Sequence, residues 1–527
     1  MSRSTLWRVI GAGFAALVLV AAPVGAQEVT LGLATAVTSM DPHFHNLASN
    51  INIAMHVFDR LIEQDERQNL RSGLASEWKA LNDTTWEFKL RRGVKFHDGS
   101  DFDAADVAVS IKRVGWVPNS PSSFTVYTRS IKEAIIVDSH TMRFVTHAPA
   151  PLLPVDLSSI AIVSRKHAET PTGEFNAGRA TIGTGPFKFV RYLPGDRIEF
   201  ERNEGYWGDK PHWRKATVRL ISNDAARVAA ILAGDVQAID SVPPIDLAKL
   251  RANPNISLAS TPSNSVLFLH VDHHRDQSPF VADKAGAPLA KNPLRDARVR
   301  KAMSRAINRQ AIVERVMEGS AVPAGSLLAP GFFGSSPKLV PDAFDPDGAR
   351  KLLAEAGYPN GFALTIHGPN DRYTNDEKVL QAIAPMLSRI GIDTKVVALP
   401  WAVFIAQAGP PNYAYSSFLI GNSATTGESS FGLRAQFATV NPAAGMGTSN
   451  RARYSNPQVD AKLKEALTTV DDAKRRRLLE ETEEIAMAEQ AIIPIFHQFH
   501  NYATRKGIAY TARTDSYMVA QMLRPAN

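Results

Sequence analysis

The chain contains no cysteine. This absence excludes thiol catalysis, iron–sulfur clusters and cysteine-ligated zinc. It also excludes a lipid anchor attached to a cysteine after the amino-terminal apolar segment. Without disulfides the folded state depends on its hydrophobic core, and 527 residues are enough to bury a large one.

Recognisable catalytic motifs are also missing. We find no GxxxxGK[ST] phosphate loop, no Rossmann glycine pattern opening a helix, no HExxH and no GxSxG. Asp272-His273-His274 resembles the metal-binding triplet of some phosphoesterases, but the further aspartate motifs of those enzymes are absent. His497 and His500 lie in a predicted strand, where a spacing of three places them on opposite faces. We therefore predict no catalytic residue, no metal site and no cofactor.

Long apolar runs are confined to the amino terminus. Arg3 and Arg8 precede the apolar stretch VIGAGFAALVLVAA, and PVGA follows it with small residues at Val24 and Ala26. This pattern is typical of a cleavable signal peptide and is short for a membrane span. We predict a signal peptide over 1–26, a mature chain beginning at Gln27 and release into the periplasm.

A strong excess of positive charge is lacking. Removing the two arginines of the predicted signal peptide lowers the formal charge from +7 to +5, spread over about 500 residues. The densest basic run, Lys474 to Arg477, belongs to a predicted helix in which four glutamates follow. We interpret this run as a solvated helix face and predict no nucleic-acid partner.

What the sequence does contain is a mixed α/β pattern. Short apolar strands alternate with helices of about ten residues. TWEFKLRRGVKF predicts a β-hairpin that turns at Arg92-Gly93, and FKFVRYLPGDRIEFER predicts another that turns at Pro194-Gly195. Asn308 and Asp345 are each placed to cap a following helix.

The stretch FKLRRGVKFHDGSDFDAADVAVSIKR, residues 88–113, is rich in basic side chains and aspartates. His97-Asp98-Gly99 predicts a turn, and Asp103 predicts an N-cap for the helix AADVAVSIKR. Asp106, three residues beyond the cap, predicts a variant of the capping box. We interpret these charges as surface groups and helix caps.

This stretch resembles the signature of the family 5 periplasmic solute-binding proteins, the peptide- and nickel-binding receptors of ABC importers. SMDPHFHN, GLASEWKALNDTTWEF, GTGPFKFVRYLPGDRIEFERNEGYW, NPLRDARVRKAMSRAINRQAIVERV and KLLAEAGYPNGF are similar to further family segments in the same order. The resemblance covers essentially all of residues 28–527.

The resemblance implies an α/β fold of the two-lobed type II periplasmic binding protein kind, with an extra subdomain on lobe I and a cleft between the lobes. The expected parts are, in chain order: lobe I at 27–62, the extra subdomain at 63–179, lobe I again at 180–271, lobe II at 272–495 and lobe I at 496–527. Its function would be to capture a solute in the cleft and deliver it to a membrane permease, without catalysis.

In peptide receptors of this family the ligand main chain pairs with strand segments, which here correspond to Ala36–Ser39 and Gly421–Ala424. The dipeptide and oligopeptide receptors hold the ligand ammonium group with an aspartate at the position of Ala424. The segment GNSATTGES instead resembles the GWSASTGEA region of glutathione-binding receptors. On this basis Glu428 is expected to anchor an ammonium group and Arg372 a carboxylate.

The full set of residues expected to bind the ligand comprises two polar strand segments, several aromatic walls and the two charged anchors. These residues are Thr38, Ser39, His45, Phe124, Tyr127, Arg372, Tyr373, Trp401, Asn422, Ser423, Thr425, Thr426 and Glu428.

The expected ligand is a short peptide or peptide-like solute, including γ-linked peptides such as glutathione. An opine, an oligosaccharide and a nickel chelate remain open as alternatives within the same receptor role, and an exported hydrolase remains open outside it. The expected partners are the transmembrane subunits of an ABC permease with their ATPase, and the receptor is expected to be a monomer.

Overall fold

The structure is a computed structural model that describes residues 28–526. The predicted signal peptide over 1–26 and the predicted start at Gln27 lie outside the described residues. From residue 28 to residue 526, no helix combines the length and the apolar character that a membrane crossing requires.

The strands are short except for two long ones. They are β1 Glu28–Leu33, β2 Ile62–Gln64, β3 Leu70–Ser72, β4 Ala75–Asn82, β5 Thr85–Leu90, β6 Ile131–Asp138, β7 Thr141–Thr146, β8 Phe187–Leu193, β9 Arg197–Arg202, β10 Lys215–Leu220, β11 Ala238–Ile239, β12 Ile256–Val271, β13 Val281–Ala282, β14 Ala321–Pro323, β15 Phe362–Pro369, β16 Ile392–Leu399, β17 Ser417–Ser423, β18 Ile493–Arg505, β19 Ile508–Ala509 and β20 Arg524–Pro525.

The helices alternate with these strands over most of the described chain. They are α1 Ala48–Val57, α2 Ala104–Arg113, α3 Leu153–Leu157, α4 Thr172–Asn176, α5 Asp224–Ala233, α6 Pro244–Arg251, α7 Ala297–Ala306, α8 Arg309–Arg315, α9 Pro346–Glu355, α10 Asp376–Ser388, α11 Trp401–Ala408, α12 Ser429–Gln436, α13 Pro457–Ala466 and α14 Asp472–Ala488. The mixed α/β class predicted from the sequence is confirmed.

A large sheet runs through the molecule in the order β13-β15-β17-β12-β18-β11-β1-β10-β9-β8, with β14 also pairing with β18 and β16 with β15. β1 lies parallel to both β10 and β11, whereas β12 is antiparallel to both β17 and β18. β8 and β9 form an antiparallel hairpin, which confirms the turn predicted at Pro194-Gly195.

The two long strands β12 and β18 connect the two ends of this sheet. Their ladder is interrupted between Pro262 and Val266, because Pro262 pairs with Phe499 whereas Val266 pairs with His497. Three residues on β12 therefore oppose one residue on β18, which is a bulge that locally increases bending and twist.

Two hydrophobic clusters lie on either side of this bulge. One contains Leu31 and Tyr502, and the other contains Leu269 and Phe496. Burial of these separate apolar surfaces stabilises the two ends of the sheet independently. The boundaries of the lobes and of the extra subdomain stay a prediction.

A separate four-stranded antiparallel sheet has the order β4-β5-β7-β6. Phe88 of β5 pairs with β4 on one side and with β7 on the other, so the hairpin predicted at Arg92-Gly93 is wrong. The chain does turn at Gly93, where φ is +74°, but Val94 and Phe96 leave the sheet and are buried in the core beneath it. Burial of these side chains decides their position more strongly than their alternation with polar residues.

The helix caps follow the sequence closely. The Asp103 carboxylate accepts the Ala105 backbone N–H at 2.8 Å, and the Asp106 carboxylate accepts the Asp103 N–H at 3.0 Å. Asn308 and Asp345 cap α8 and α9 in the same manner. The predicted capping box and both predicted caps are confirmed.

One ion pair is fully buried near the amino-terminal end of the described chain. Both terminal nitrogens of Arg113 donate to the Asp41 carboxylate at 2.8 Å, with side chains 1% and 0% exposed. The guanidinium also lies over the Phe175 ring, with 4.6 Å to its centroid. Thr172 donates a further hydrogen bond to Asp41 at 2.8 Å. The aspartate of the SMDP segment and the last residue of α2 are thereby held together.

Candidate functional site

A cavity of about 370 Å³ lies along the carboxyl end of β17. Its walls come from β12, β17, β18, α11, α12, the loop that follows β15 and the loop between α12 and α13. The lining residues are Ser265, Val266, Leu267, Arg372, Tyr373, Trp401, Ile420, Gly421, Asn422, Ser423, Phe431, Gln436, Ser449, Arg451 and Gln498. Five of the thirteen residues predicted to bind the ligand meet here: Arg372, Tyr373, Trp401, Asn422 and Ser423.

One edge of β17 is accessible from this cavity. β15 pairs with β17 only near Ser417 and Phe418, whereas on the other edge β12 pairs with β17 as far as Ser423. The Gly421 N–H points away from β12 and donates to the Tyr373 hydroxyl oxygen at 3.0 Å. Because alternate residues of a strand point their backbone groups to the same side, the N–H and C=O of Ser423 face the same edge. This edge can pair with an extended ligand main chain.

The close approach of Tyr373 requires glycine at position 421. A Cβ added there would lie 2.9 Å from the Tyr373 ring and 3.3 Å from Leu267. We therefore expect Gly421→Ala to displace the tyrosine ring, break its hydrogen bond and narrow the cavity, lowering ligand affinity about tenfold or more.

Calorimetric titration of this variant measures the effect. Gly173→Ala is the control, because Gly173 lies outside the cavity lining and a Cβ added there meets nothing within 4 Å. Unchanged affinity in Gly421→Ala would show that the Tyr373 side chain does not contact the ligand.

Aromatic side chains form one wall of the cavity. The Tyr373 and Trp401 rings meet edge to face at 6.1 Å, and Trp401 also packs against Phe404 at 5.9 Å. The Arg372 guanidinium lies over the Trp401 ring, 5.0 Å from its centroid. Stacking on indole orients an arginine without neutralising its charge, so Arg372 remains able to bind an anion.

Arg451 is a residue of this cavity that the sequence interpretation missed. Its Nε is buried and has no hydrogen-bond partner within residues 28–526, and one terminal nitrogen reaches only the Ser449 carbonyl oxygen, at 3.5 Å. Burial lowers the pKa of Arg451, against the opposing effect of the phenol of Tyr373. The segment SNRARYSN carries no motif that distinguishes this arginine from the neighbouring Arg453.

Two amide side chains on the cavity wall are also incompletely paired. Gln436 donates to the Asn422 oxygen at 3.2 Å, which leaves the Asn422 nitrogen and the Gln436 oxygen buried without partners in the described chain. Buried polar atoms are nearly always hydrogen-bonded, and exceptions often mark functional positions. The cavity thus presents one free donor and one free acceptor beside the strand edge.

The predicted site residues near the amino-terminal strand lie outside this cavity. Thr38 is exposed, its hydroxyl lies 3.0 Å from His45 Nδ1, and His45 forms an isolated bridge with Ser122. Tyr127 is half-buried and its hydroxyl lies 3.5 Å from the Asn46 side chain. Thr38, His45 and Tyr127 therefore remain surface groups available to a ligand.

Ser39 and Phe124 have structural surroundings. Ser39 is buried, and its hydroxyl donates to Asn176 at 2.9 Å and accepts the Asp41 N–H. Phe124 is buried against Val114. Neither side chain offers a surface to a ligand in this arrangement, which differs from the expectation because both segments fold back onto the core.

Glu428 lies in a second cavity, of about 460 Å³, and not beside Arg372. Its carboxylate binds the Arg475 guanidinium at 2.6 Å, and both side chains are 3% exposed. Ser430 donates a further hydrogen bond to it. The ammonium anchor expected at Glu428 is therefore already paired with a protein cation.

The same ion pair corrects the interpretation of the basic run. Lys474, Arg476 and Arg477 are exposed on α14 as predicted, but Arg475 is buried over the Phe333 ring, 4.5 Å from its centroid. The periodicity of the helix could not reveal a partner 47 residues earlier in the chain.

Thr425 and Thr426 connect this region to the amino-terminal part. Their carbonyl oxygens accept hydrogen bonds from Gln68 at 3.2 Å and from Gln64 at 3.4 Å. The Thr425 side chain is exposed, whereas the Thr426 hydroxyl is buried and without a partner in the described chain. The backbone carbonyl groups of Thr425 and Thr426 therefore join this segment to the segment that contains Gln64 and Gln68.

The histidines do not assemble into a metal centre. In residues 28–526 no group of three or more histidine, aspartate or glutamate side chains is placed to hold a metal ion. Asp272 is bound by Arg275 at 2.6 Å, and His273 lies 3.2 Å from the Ala491 carbonyl oxygen. His497 is buried in β18.

Comparison with known proteins places these observations in a family. The model of the bacterial extracellular solute-binding proteins, family 5 Middle, matches residues 69–442. The chain is 31% identical over 498 residues to the glutathione-binding protein GsiB of Pectobacterium atrosepticum, covering 93% of this chain and 92% of that protein.

Two solved structures share the fold. HbpA2 from Haemophilus parasuis has a TM-score of 0.82 at 22% identity, covering 95% of this chain and 100% of that one. The unliganded open form of the periplasmic murein tripeptide-binding protein MppA has a TM-score of 0.81 at 21% identity, covering 95% and 98%. The predicted fold of a two-lobed periplasmic binding protein is confirmed.

Proposed function

Because the chain belongs to the bacterial extracellular solute-binding proteins of family 5, we propose that it captures a short peptide-like solute, with glutathione as the first candidate. The solute binds in the cavity beside β17 and is delivered to an ABC permease. The receptor acts in the periplasm, as a monomer, and releases its ligand chemically unchanged.

The accessible edge of β17 is the observation that carries this proposal. A ligand backbone pairs with Ser423 along that edge, Tyr373 and Trp401 contact its side chains, and the unpaired amide groups of Asn422 and Gln436 complete its hydrogen bonds. A cavity of about 370 Å³ is in the range of small-ligand sites. The glutathione-binding name of the curated relative supports the choice of first candidate.

Trp401 provides a direct test. Titration with glutathione should change intrinsic fluorescence saturably, and the change should be lost in Trp401→Phe while calorimetry still detects binding. At 100 times its dissociation constant the ligand should add about 2.7 kcal/mol to the free energy of unfolding. Mass spectrometry of the released ligand should return it intact.

The same titration with dipeptides, an opine, an oligosaccharide and a nickel–histidine chelate compares the alternatives. Binding of the chelate or the sugar, with no response to any peptide, would contradict the proposal. Recovery of a cleaved ligand would support the hydrolase instead.

A further inference from the structure

The charge of the cavity beside β17 has one sign. Of its fifteen lining residues, two are charged at neutral pH and both are arginines, Arg372 and Arg451. Aspartate and glutamate are absent from this lining. A ligand that enters the cavity therefore meets two positive charges with no acidic side chain of the lining to balance them.

Neither guanidinium forms an ion pair with any residue of the described chain. Arg372 stacks on Trp401, and the Arg451 Nε is a buried donor without an acceptor. Arg113 and Arg475 also have a buried Nε without a partner, but their terminal nitrogens bind the carboxylates of Asp41 and Glu428. Arg300 and Arg309 donate to backbone carbonyl oxygens. Arg451 differs from these arginines of residues 28–526 because the only hydrogen bond of its guanidinium is to the Ser449 carbonyl oxygen, at 3.5 Å.

Both arginines act on the same point of the cavity. Burial raises the pKa of the Tyr373 hydroxyl, and the positive charges of Arg372 and Arg451 both oppose that increase. Arg372 and Arg451 line this one cavity together with Tyr373, whose hydroxyl meets the open edge of β17. They can contact two groups of one ligand bound along that edge.

Arg372 is exposed and Arg451 is half-buried, so the unfavourable group is the buried Arg451 Nε, which has no acceptor within residues 28–526. A ligand carboxylate removes this cost by forming charge-assisted hydrogen bonds, and it can pair with the exposed Arg372 in the same way. Arginine suits this role because its planar donors match a carboxylate in a bidentate geometry. A single carboxylate would leave the other cation unpaired once the cavity is occupied.

We infer that Arg372 and Arg451 are the specificity-determining residues for ligands with two carboxylates, each arginine holding one of them. This inference rests on the proposed function and restricts it: the receptor takes anionic peptide-like solutes and discriminates against peptides with one carboxylate. Glutathione, which has two carboxylates and one ammonium group, fits this requirement.

The test combines two variants with three ligands. Arg372→Gln and Arg451→Gln are titrated by calorimetry with glutathione and with each of its two monoamides. Each variant should bind glutathione at least about 30-fold more weakly than the parent, because it leaves one carboxylate without its partner in the cavity. One of the two monoamides lacks the carboxylate that the substituted arginine binds, and for that monoamide the variant and the parent should have similar affinities. This monoamide should be a different one for Arg372→Gln and for Arg451→Gln.

Arg453→Gln is the matched control, since Arg453 lies two residues from Arg451 but outside the cavity, over Tyr413. It should bind as the parent does. Melting temperatures of all three variants separate loss of binding from loss of folding. Rescue of part of the affinity in Arg451→Lys would further support a charge contact.

The outcomes separate this inference from the proposed function. If the parent binds glutathione or dipeptides and both glutamine variants bind them equally well, the arginine pair is not a carboxylate site and the receptor role stands. Tighter binding of a monocarboxylate dipeptide than of glutathione also overturns the inference alone. If the parent binds no peptide at all, the proposed function fails and the inference fails with it.

Discussion

Replacing Asp41 with alanine should lower the free energy of unfolding by about 3–5 kcal/mol. The substitution leaves the Arg113 guanidinium buried without its carboxylate, and removing one partner of a buried ion pair has costs of this size. Burial alone raises the pKa of Asp41, but the hydrogen bonds and charge of Arg113 outweigh it and hold that pKa below its usual value. The stabilisation from Asp41 is therefore present above the ordinary pKa of an aspartate and is lost as the pH falls below it.

Urea denaturation of parent and variant at neutral pH measures this effect. Asp101→Ala is the control, because its ion pair with Lys95 has side chains 76% and 57% exposed and should change stability by less than about 1 kcal/mol. Equal stabilities of the Asp41 and Asp101 variants would contradict the account of the buried pair.

Replacing Glu428 with alanine should have a similar effect on stability, also about 3–5 kcal/mol. The Arg475 guanidinium would stay buried over Phe333 without its carboxylate partner. Because Glu428 is already paired and lies outside the cavity beside β17, ligand affinity measured well below the unfolding temperature should be nearly unchanged. Thermal unfolding and calorimetric titration of the same sample test both parts.

The double variant Glu428→Met with Arg475→Met removes both charges and keeps most of the side-chain volume. Removal of both charges should recover much of the stability, since apolar groups of similar volume can replace a buried pair at little cost. The original prediction for Glu428 would stand if the single variant Glu428→Ala had normal stability and bound a free amine more weakly than its acetylated form. That result would identify Glu428 as the ammonium anchor.

Local elements could be predicted from the sequence where a residue's partner lies within a few positions. Asp103 and Asn308 cap helices that begin immediately after them, and Pro194-Gly195 closes a hairpin between adjacent strands. The hairpin at Arg92-Gly93 failed for the opposite reason. Alternation identifies a strand but not its neighbour, and β5 pairs with β7, which lies more than 50 residues later.

The candidate site shows the same division. Asn422 was found because it lies in a segment that resembles the glutathione-binding receptors, and Tyr373 and Trp401 were predicted as aromatic walls; the structure brings all three into one cavity. Arg451 and the Glu428–Arg475 pair were missed because their properties depend on burial and on distant partners. The sequence does not distinguish an arginine that is solvated from one that is paired with a protein carboxylate or one that binds a ligand anion.

The bulge between Pro262 and Val266 has a kinetic consequence. It places an interruption of the β12–β18 ladder between two separately stabilised cores, so rotation about it need not disrupt either core. Such rotations occur in microseconds to milliseconds, slower than the diffusional encounter of a small ligand at high concentration. We expect the observed association rate to level off as the ligand concentration rises, because closure then limits it, and the plateau value should report the bending rate of these two strands.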